Sequence, residues 1–222
     1  MLTVNEIFAL KRSGHVEQAY EAARQLYAVD KTDYAVSAMF WTAVDRLKEL
    51  AVQDQLHEAL QIHLALQRLM AHLNTESPMM SEAMMKCAAV IERLKVRKSI
   101  ADNGPLHLIV GLWGEELAVD FLRKKGYRII ERDWHSSHKD IDIIALDRSC
   151  YVFVEVKTRS SDAFEEPLSA LDKKTCKNLS RAITHYRCYR KILSDWRFDV
   201  ITIVGRPGSD SLQIEHLMDF AL

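Results

Sequence analysis

The first 98 positions hold one glycine, Gly14, and one proline, Pro78, so the residues that interrupt helices are nearly absent from almost half the chain. That scarcity excludes a strand-and-turn organisation there, because tight turns draw on Gly and Pro. Cysteine is scarce too. Cys87, Cys150, Cys176 and Cys188 are scattered without a C-x-x-C pair, which argues against a disulfide framework or a zinc site and for the reduced thiols of a cytoplasmic protein. His135 and His138 have ligand-like spacing but no matching second pair, and they read as loop residues. Neither sign of charge is in excess. Thirty Lys and Arg face 31 Asp and Glu, so no global attraction to nucleic acid is encoded. No apolar run approaches the roughly 20 residues that span a bilayer, and residues 1–14 lack the basic start and apolar core of a signal peptide. No membrane partner is expected.

What the first half does have is helical periodicity, which predicts helices near 4–12, 15–29, 33–50, 54–73 and 79–97. Gly14 ends the first helix, and Ala19 follows five residues later. Asp54 and Ala59 repeat that spacing forty residues on. The arrangement resembles tetratricopeptide-type helical hairpins, where a small residue lets two helices approach closely. The 34-residue period and the Pro expected around Asp30-Lys31 are missing, and a plain helical bundle fits the pattern equally well. Met70, Met79, Met80, Met84 and Met85 suit either a core or an adaptable surface. Lys95 to Lys98, then Ala101-Asp102-Asn103-Gly104-Pro105, read as a helix end and a linker over 99–106.

From 107 onward the pattern changes. A helix over 107–125 is stopped by Gly126, and a short strand follows over 127–131. After a hairpin come a mostly helical stretch, 168–194, and an apolar strand, 197–204. The expectation is a mixed sheet flanked by helices.

The hairpin, Asp140 to Lys157, carries charge where core strands should not. Strand side chains alternate, so Glu155 and Lys157 share a face with Tyr151 and Phe153, while Asp140 and Asp142 share a face opposite Ile141 and Ile143. A turn about Arg148-Ser149 sets Asp142 across from Glu155 and Asp140 across from Lys157. That turn pair is not a favoured one, and an odd-length loop would break the match. Opposed Cβ atoms stand about 4.5–5.5 Å apart. Two carboxylates that close repel unless a cation lies between them or one binds a proton. Mg²⁺ suits the position, since it takes oxygen ligands and often only one or two carboxylates. The bland alternative is an ion-paired, solvated face. The apolar neighbours Tyr151 and Phe153 count against it.

Four motifs sharpen this reading. Gly111-Leu112-Trp113-Gly114-Glu115-Glu116-Leu117-Ala118, Lys139-Asp140-Ile141-Asp142-Ile143-Ile144, Phe153-Val154-Glu155-Val156-Lys157-Thr158-Arg159 and Arg197-Phe198-Asp199-Val200 occur in that order. Over residues 107–204 the chain thereby resembles the YraN-like family of the PD-(D/E)XK nuclease superfamily. The resemblance implies a restriction-endonuclease-like fold, Asp142, Glu155 and Glu115 as ligands of Mg²⁺ or Mn²⁺, and Lys157 as their cationic partner. Glu115 enters through the resemblance alone. Lys139 and Asp140 stand where the family has Gly and Glu, Thr175 where it has Lys, and Glu165 where it has Gly.

Between Asp172 and Asp195 lie seven cations and no acid: Lys173, Lys174, Lys177, Arg181, Arg187, Arg190 and Lys191. Three of them, Lys173, Lys177 and Arg181, recur every four residues on one helix face. With Arg159 they form the expected nucleic-acid contact, more suited to phosphates than to base edges. The reading is a metal-dependent endonuclease acting on DNA, with branched or damaged DNA as candidate substrates. Its alternative is a catalytically weak nucleic-acid-binding adaptor. Residues 1–98 would recruit a protein partner. A homodimer would suit the cutting of two strands, although no interface is legible.

Overall fold

In a computed structural model describing residues 1–73, 77–135, 140–159, 172–208 and 212–222, the chain divides into two units, Met1–Lys98 and Ser99–Leu222. Helix α1 (Val4–Arg12) begins with a reciprocal cap. Thr3 Oγ1 accepts from the Glu6 N–H, and the Glu6 carboxylate accepts from the Thr3 N–H at 2.8 Å. Gly14 follows at φ 85°, a left-handed conformation that glycine adopts without strain. Then come α2 (Val16–Val29), α3 (Asp33–Val52), α4 (Leu56–Ala71) and α5 (Pro78–Asn103). Thr32 caps α3. The short links at 30–32 and 53–55 reverse the chain each time, so α2 and α4 run parallel to one another and antiparallel to α3, which both contact. Ala19 and Ala59 have no exposed surface, as close helix approach requires. Phe40, Leu47, Leu66 and Ile91 lie in the shared core.

One boundary differs from expectation. The helix expected to end near 97 continues to Asn103, so most of the anticipated linker over 99–106 is helical and only Gly104 and Pro105 separate it from the next helix. Residues 98–103 contain no helix breaker; the stop comes with the glycine and proline themselves.

The second unit begins with α6 (Leu106–Lys124). Gly126, at φ 86°, ends it: its N–H donates to the Arg123 carbonyl, and the Tyr127 N–H donates to the Leu122 carbonyl at 3.0 Å. Strands β1 (Arg128–Trp134), β2 (Ile141–Asp147), β3 (Cys150–Arg159), β4 (Trp196–Val204) and β5 (Gln213–Leu217) form one sheet in the order β1-β2-β3-β4-β5. All neighbours are antiparallel except β3 and β4, which α7 (Lys173–Arg190) connects. Strand β1 outruns its expected end by three residues, and β5 was not anticipated. It is a five-residue, half-exposed edge strand whose apolar content is too low to signal itself.

Each face of the sheet is covered. Ile144, Phe153, Phe198 and Val200 pack with Leu179, Ile183 and Tyr186 of α7. Ile143, Ala145, Val152, Val154, Ile201 and Ile203 pack with Ala118, Val119 and Leu122 of α6. Because β3 and β4 are parallel, α7 must carry the chain back along the sheet. Its first turn therefore lies toward the end of β3 that bears Lys157 and Arg159.

The Arg197-Phe198-Asp199-Val200 motif finds its role here. Asp199 has no exposed surface. It takes Arg197 Nε at 3.0 Å, His216 Nε2 at 2.9 Å and the Asp219 N–H at 2.9 Å. Arg197 also reaches Asp147 at 3.1 Å and the Tyr127 hydroxyl at 2.7 Å. One buried carboxylate thus ties β4 to the end of α6, the end of β2 and the C-terminal segment. Burial alone would push the Asp199 carboxyl up, but the bonds from His216, Asp219 and Arg197 hold it below the ordinary aspartate value. Its stabilising contribution is complete above the unfolded aspartate pKa of ~3.9 and fades as pH falls through the lower folded value. Removing one partner of a buried pair costs about 3–5 kcal/mol. Asp199→Ala should therefore lower the melting temperature strongly at pH 7, with the gap from wild type narrowing as the pH drops below about 4. Thermal denaturation across that range measures it.

Candidate metal centre

The hairpin adopts the two-residue turn about Arg148-Ser149, with Arg148 held at φ 56°. Its ladder runs Asp147↔Cys150, Leu146↔Tyr151, Ala145↔Val152, Ile144↔Phe153 and Ile143↔Val154, the register expected from the sequence. There it stops. Strand β3 continues to Arg159 in register with β4, while Ile141 of β2 pairs with Trp134 of β1.

In the notch where β2 and β3 part, the side chain of Asp142 replaces a ladder bond. Its Oδ2 accepts the Val156 N–H at 2.7 Å. Glu155 is buried, 2 % exposed, and its Oε1 receives Lys157 Nζ at 2.6 Å, with Oε2 also shut away from water. Part of Asp142 reaches solvent, yet protein crowds it closely. Burial, then the charge of Glu155, then that of Glu115 push its carboxyl well above the ordinary aspartate value, against the opposing pull of the Val156 N–H and Lys157. Two further carboxylates therefore act on Asp142 at this point, and two elements beyond the hairpin help to fix the arrangement.

The first is α6. A Cβ at Gly114 would stand 1.8 Å from Thr158 Oγ1, so only glycine lets α6 lie so close to β3 and bring Glu115 into electrostatic range. Glu116, its neighbour, pairs with the nearly buried Arg132 of β1. The second is α7, whose Tyr186 meets Phe153 and Trp134 edge to face at 5.7 and 5.1 Å.

Neither sequence-based pairing is a rung of the ladder, which stops at Ile143↔Val154, and Asp142 instead accepts the Val156 N–H. Asp140 does not oppose Lys157, because the ladder ends before it: Asp140 Oδ1 lies 2.8 Å from His135 Nδ1, and Lys157 turns to Glu155. His135 thus belongs to this rim. His138, Lys139, Glu165 and the Ala170-Leu171 pair lie outside the described residues.

The structure also sorts the basic residues. Lys173, Lys174, Lys177, Arg181 and Lys191 are exposed, on the side of α7 away from Leu179, Ile183 and Tyr186. Arg187 lies over the Trp196 ring at 4.8 Å. Arg190 donates to Glu131 at 2.7 Å, beside the Tyr186 hydroxyl, which donates to the same oxygen. Arg159 is half-buried at the end of β3. The signal for Arg190 as a packing residue was Glu131, an acid directly after the apolar pair Ile129-Ile130 of β1.

Among the described residues, no three His, Cys, Asp or Glu side chains converge closely enough to make a complete ligand set. The donor chemistry nonetheless fits a hard divalent cation. Asp142 and Glu155 offer carboxylate oxygens, and Mg²⁺ commonly takes one or two of these and fills its other positions with water. Two carboxylates ~5 Å apart repel by roughly 3 kcal/mol at an effective dielectric of 20. A cation there would turn a cost into an attraction.

Known proteins give this geometry a context. A family model described as uncharacterised protein family UPF0102 matches residues 114–203, a span that holds Gly114, Glu115, Asp142, Glu155, Lys157 and Asp199. A UPF0102 protein of Syntrophomonas wolfei is 38% identical over 111 residues, covering 50% of this chain and 95% of that protein. Similar proteins from Chlorobium phaeobacteroides and Bacteroides thetaiotaomicron are 42% and 37% identical over 113 residues each, covering 90% and 92% of their lengths. Half of this chain thus spans nearly the whole of such relatives.

The raised Asp142 pKa has a consequence for stability. The native state holds its proton to higher pH than the unfolded chain, so this group's contribution is full below the unfolded value of ~3.9 and is lost as pH rises toward the folded value. Asp142→Asn keeps an acceptor for the Val156 N–H and removes the charge. At neutral pH in EDTA it should melt above wild type, by about 2–4 °C for each kcal/mol relieved. The difference should close near pH 4, which calorimetry in the two buffers checks.

Proposed function

The chain belongs to the UPF0102 family, and from that footing we propose that its second unit is a metal-dependent endonuclease of the PD-(D/E)XK type, hydrolysing phosphodiester bonds in DNA. The observation that carries the reading is the concentration of carboxylate charge on Asp142, from Glu155 beside it and Glu115 on α6. Perturbed carboxylates of this kind mark sites where charge is put to use, and Asp199, without exposed surface and fully bonded, shows what a structural carboxylate looks like in the same sheet.

Asp142 and Glu155 would hold Mg²⁺ or Mn²⁺, with Glu115 adding negative potential. When bound, the ion supplies polarisation of the scissile phosphate and an acidified water. The chain's own groups do the rest. The Val156 N–H fixes one Asp142 oxygen, leaving the other available. Lys157, whose side chain is 26% exposed and anchored on Glu155, offers its remaining N–H donors to a phosphoryl oxygen. Lys173, Lys174, Lys177 and Arg181 provide phosphate contacts along α7, starting at the same end of β3 as Lys157. These are sequence-independent contacts, so substrate shape, branched or damaged DNA included, would govern choice. Residues 1–98 would recruit a protein partner.

A second reading has its own support. Lys157 already neutralises Glu155, so the pair is tolerable without a metal, as in a nucleic-acid-binding adaptor that no longer cuts. The two readings separate on linear, single-stranded and four-way-junction DNA with Mg²⁺, Mn²⁺ or EDTA. Cutting that needs the metal and vanishes in Glu155→Ala/Lys157→Ala supports the nuclease. Retained binding without cutting in wild type favours the adaptor. Separately, Lys177→Ala/Arg181→Ala should weaken DNA binding and reduce the slope of log affinity against log salt by about 2, one for each phosphate no longer neutralised.

A further inference from the structure

The first unit carries a feature that the nuclease reading leaves unused. Between α2 and α4, over α3, runs a groove of about 640 Å³. Its apolar lining includes Tyr20, Tyr27, Met39, Ile62 and Leu69. Charge is sorted along it. Glu17 and Glu21 precede Arg24 on α2, and Glu58 precedes Arg68 and His72 on α4, all of them lining the groove.

Acid early and base late is how a single helix complements its own dipole. Two such helices side by side and antiparallel would cancel. Here α2 and α4 run parallel, so acid lies beside acid and base beside base, and the groove acquires an acidic end and a basic end. Neighbouring charges temper the sorting only in part. Arg46 of α3 holds Glu17 at 2.9 Å and Glu49 at 2.6 Å, and Arg24 lies 3.5 Å from Glu21. Glu58 and Arg68 enter no ion pair among the described residues. Lys31, over the Tyr27 ring at 3.5 Å, adds to the basic end.

We propose that this groove docks an amphipathic helix of a partner protein, lying antiparallel to α2 and α4, its acidic first turn beside Arg24 and Arg68 and its basic last turn beside Glu17 and Glu58. Charge complementarity sets the direction, and the helix dipoles then oppose as well. From Glu17 to Tyr27 the groove is roughly 15 Å long, close to three turns, which is the length that anchors at i, i+3, i+4 and i+7 require. The inference concerns the first unit alone and stands whether or not the second cuts DNA.

The test uses the full chain and two labelled alanine-based peptides of about 18 residues, long enough to be helical. Both carry one leucine stripe at helical spacing. One has glutamates in its first turns and lysines in its last; the other exchanges them. Fluorescence anisotropy should show the acid-first peptide binding about tenfold more tightly than its counterpart, a gap that Arg24→Glu/Arg68→Glu removes by weakening the acid-first peptide. Both substitutions are on exposed side chains, and circular dichroism checks that the helices persist. Ala65→Arg, which puts a long side chain into the groove, should weaken both peptides. Equal binding of the two peptides unaffected by these variants, or no binding by either at millimolar concentration, overturns the proposal. So does sedimentation showing a dimer of this chain that Ala65→Arg dissociates, since the groove would then be filled by a second copy.

Discussion

Asp142 and Glu155 lie within electrostatic range of each other at the notch where β2 and β3 part, one residue past the last pair of the hairpin ladder. The five-pair ladder from Asp147↔Cys150 to Ile143↔Val154 leads up to that notch, and the Val156 N–H fixes one Asp142 oxygen. Much of the second unit serves that confrontation. Glycine at 114 lets α6 press on β3 and carry Glu115 toward it; α7 seals the far face with Tyr186 and Leu179. Lys157 offsets part of the charge, and a divalent cation would offset the remainder. The same sheet contains the opposite solution in Asp199, where Arg197, His216 and a backbone N–H leave the carboxylate more acidic than usual. Two aspartates of one sheet thus shift in opposite directions, one fully bonded and one crowded by like charge.

Much of this was legible in the sequence, for identifiable reasons. Strand alternation and a two-residue turn were enough to set Asp142 near Glu155, because a register with period 2 leaves few options once one face must be apolar. Helix boundaries followed from Gly14 and Gly126, whose conformational roles are local. The end of the hairpin ladder was not local. Asp140 meets His135 rather than Lys157 once the ladder has ended at Ile143↔Val154, and no pattern within the hairpin carries that information. The course of α5 through Asn103 shows the reverse error, in which polar composition suggested a linker where no residue forbade a helix. Arg190 was legible as a cation but not as the partner of Glu131, which lies 59 residues away in sequence.

The two units invite different chemistry. The second matches nearly the full length of UPF0102 relatives of about half this chain's size. The first adds a helical array whose groove sorts charge by the parallel course of α2 and α4. Neither unit has a helix long and apolar enough to cross a membrane among the described residues. If the second unit cuts DNA as proposed, a first unit suited to binding a helix would let a partner choose where a sequence-indifferent site acts.

Calorimetric titration of Mn²⁺ into the intact chain near neutral pH tests the central claim most directly. A cation held by Asp142 and Glu155 should bind at a single site per chain. Asp142→Asn should abolish the binding. Binding that survives Asp142→Asn, or no saturable binding at millimolar Mn²⁺, would contradict the account and leave the carboxylates as a strained remnant of the fold.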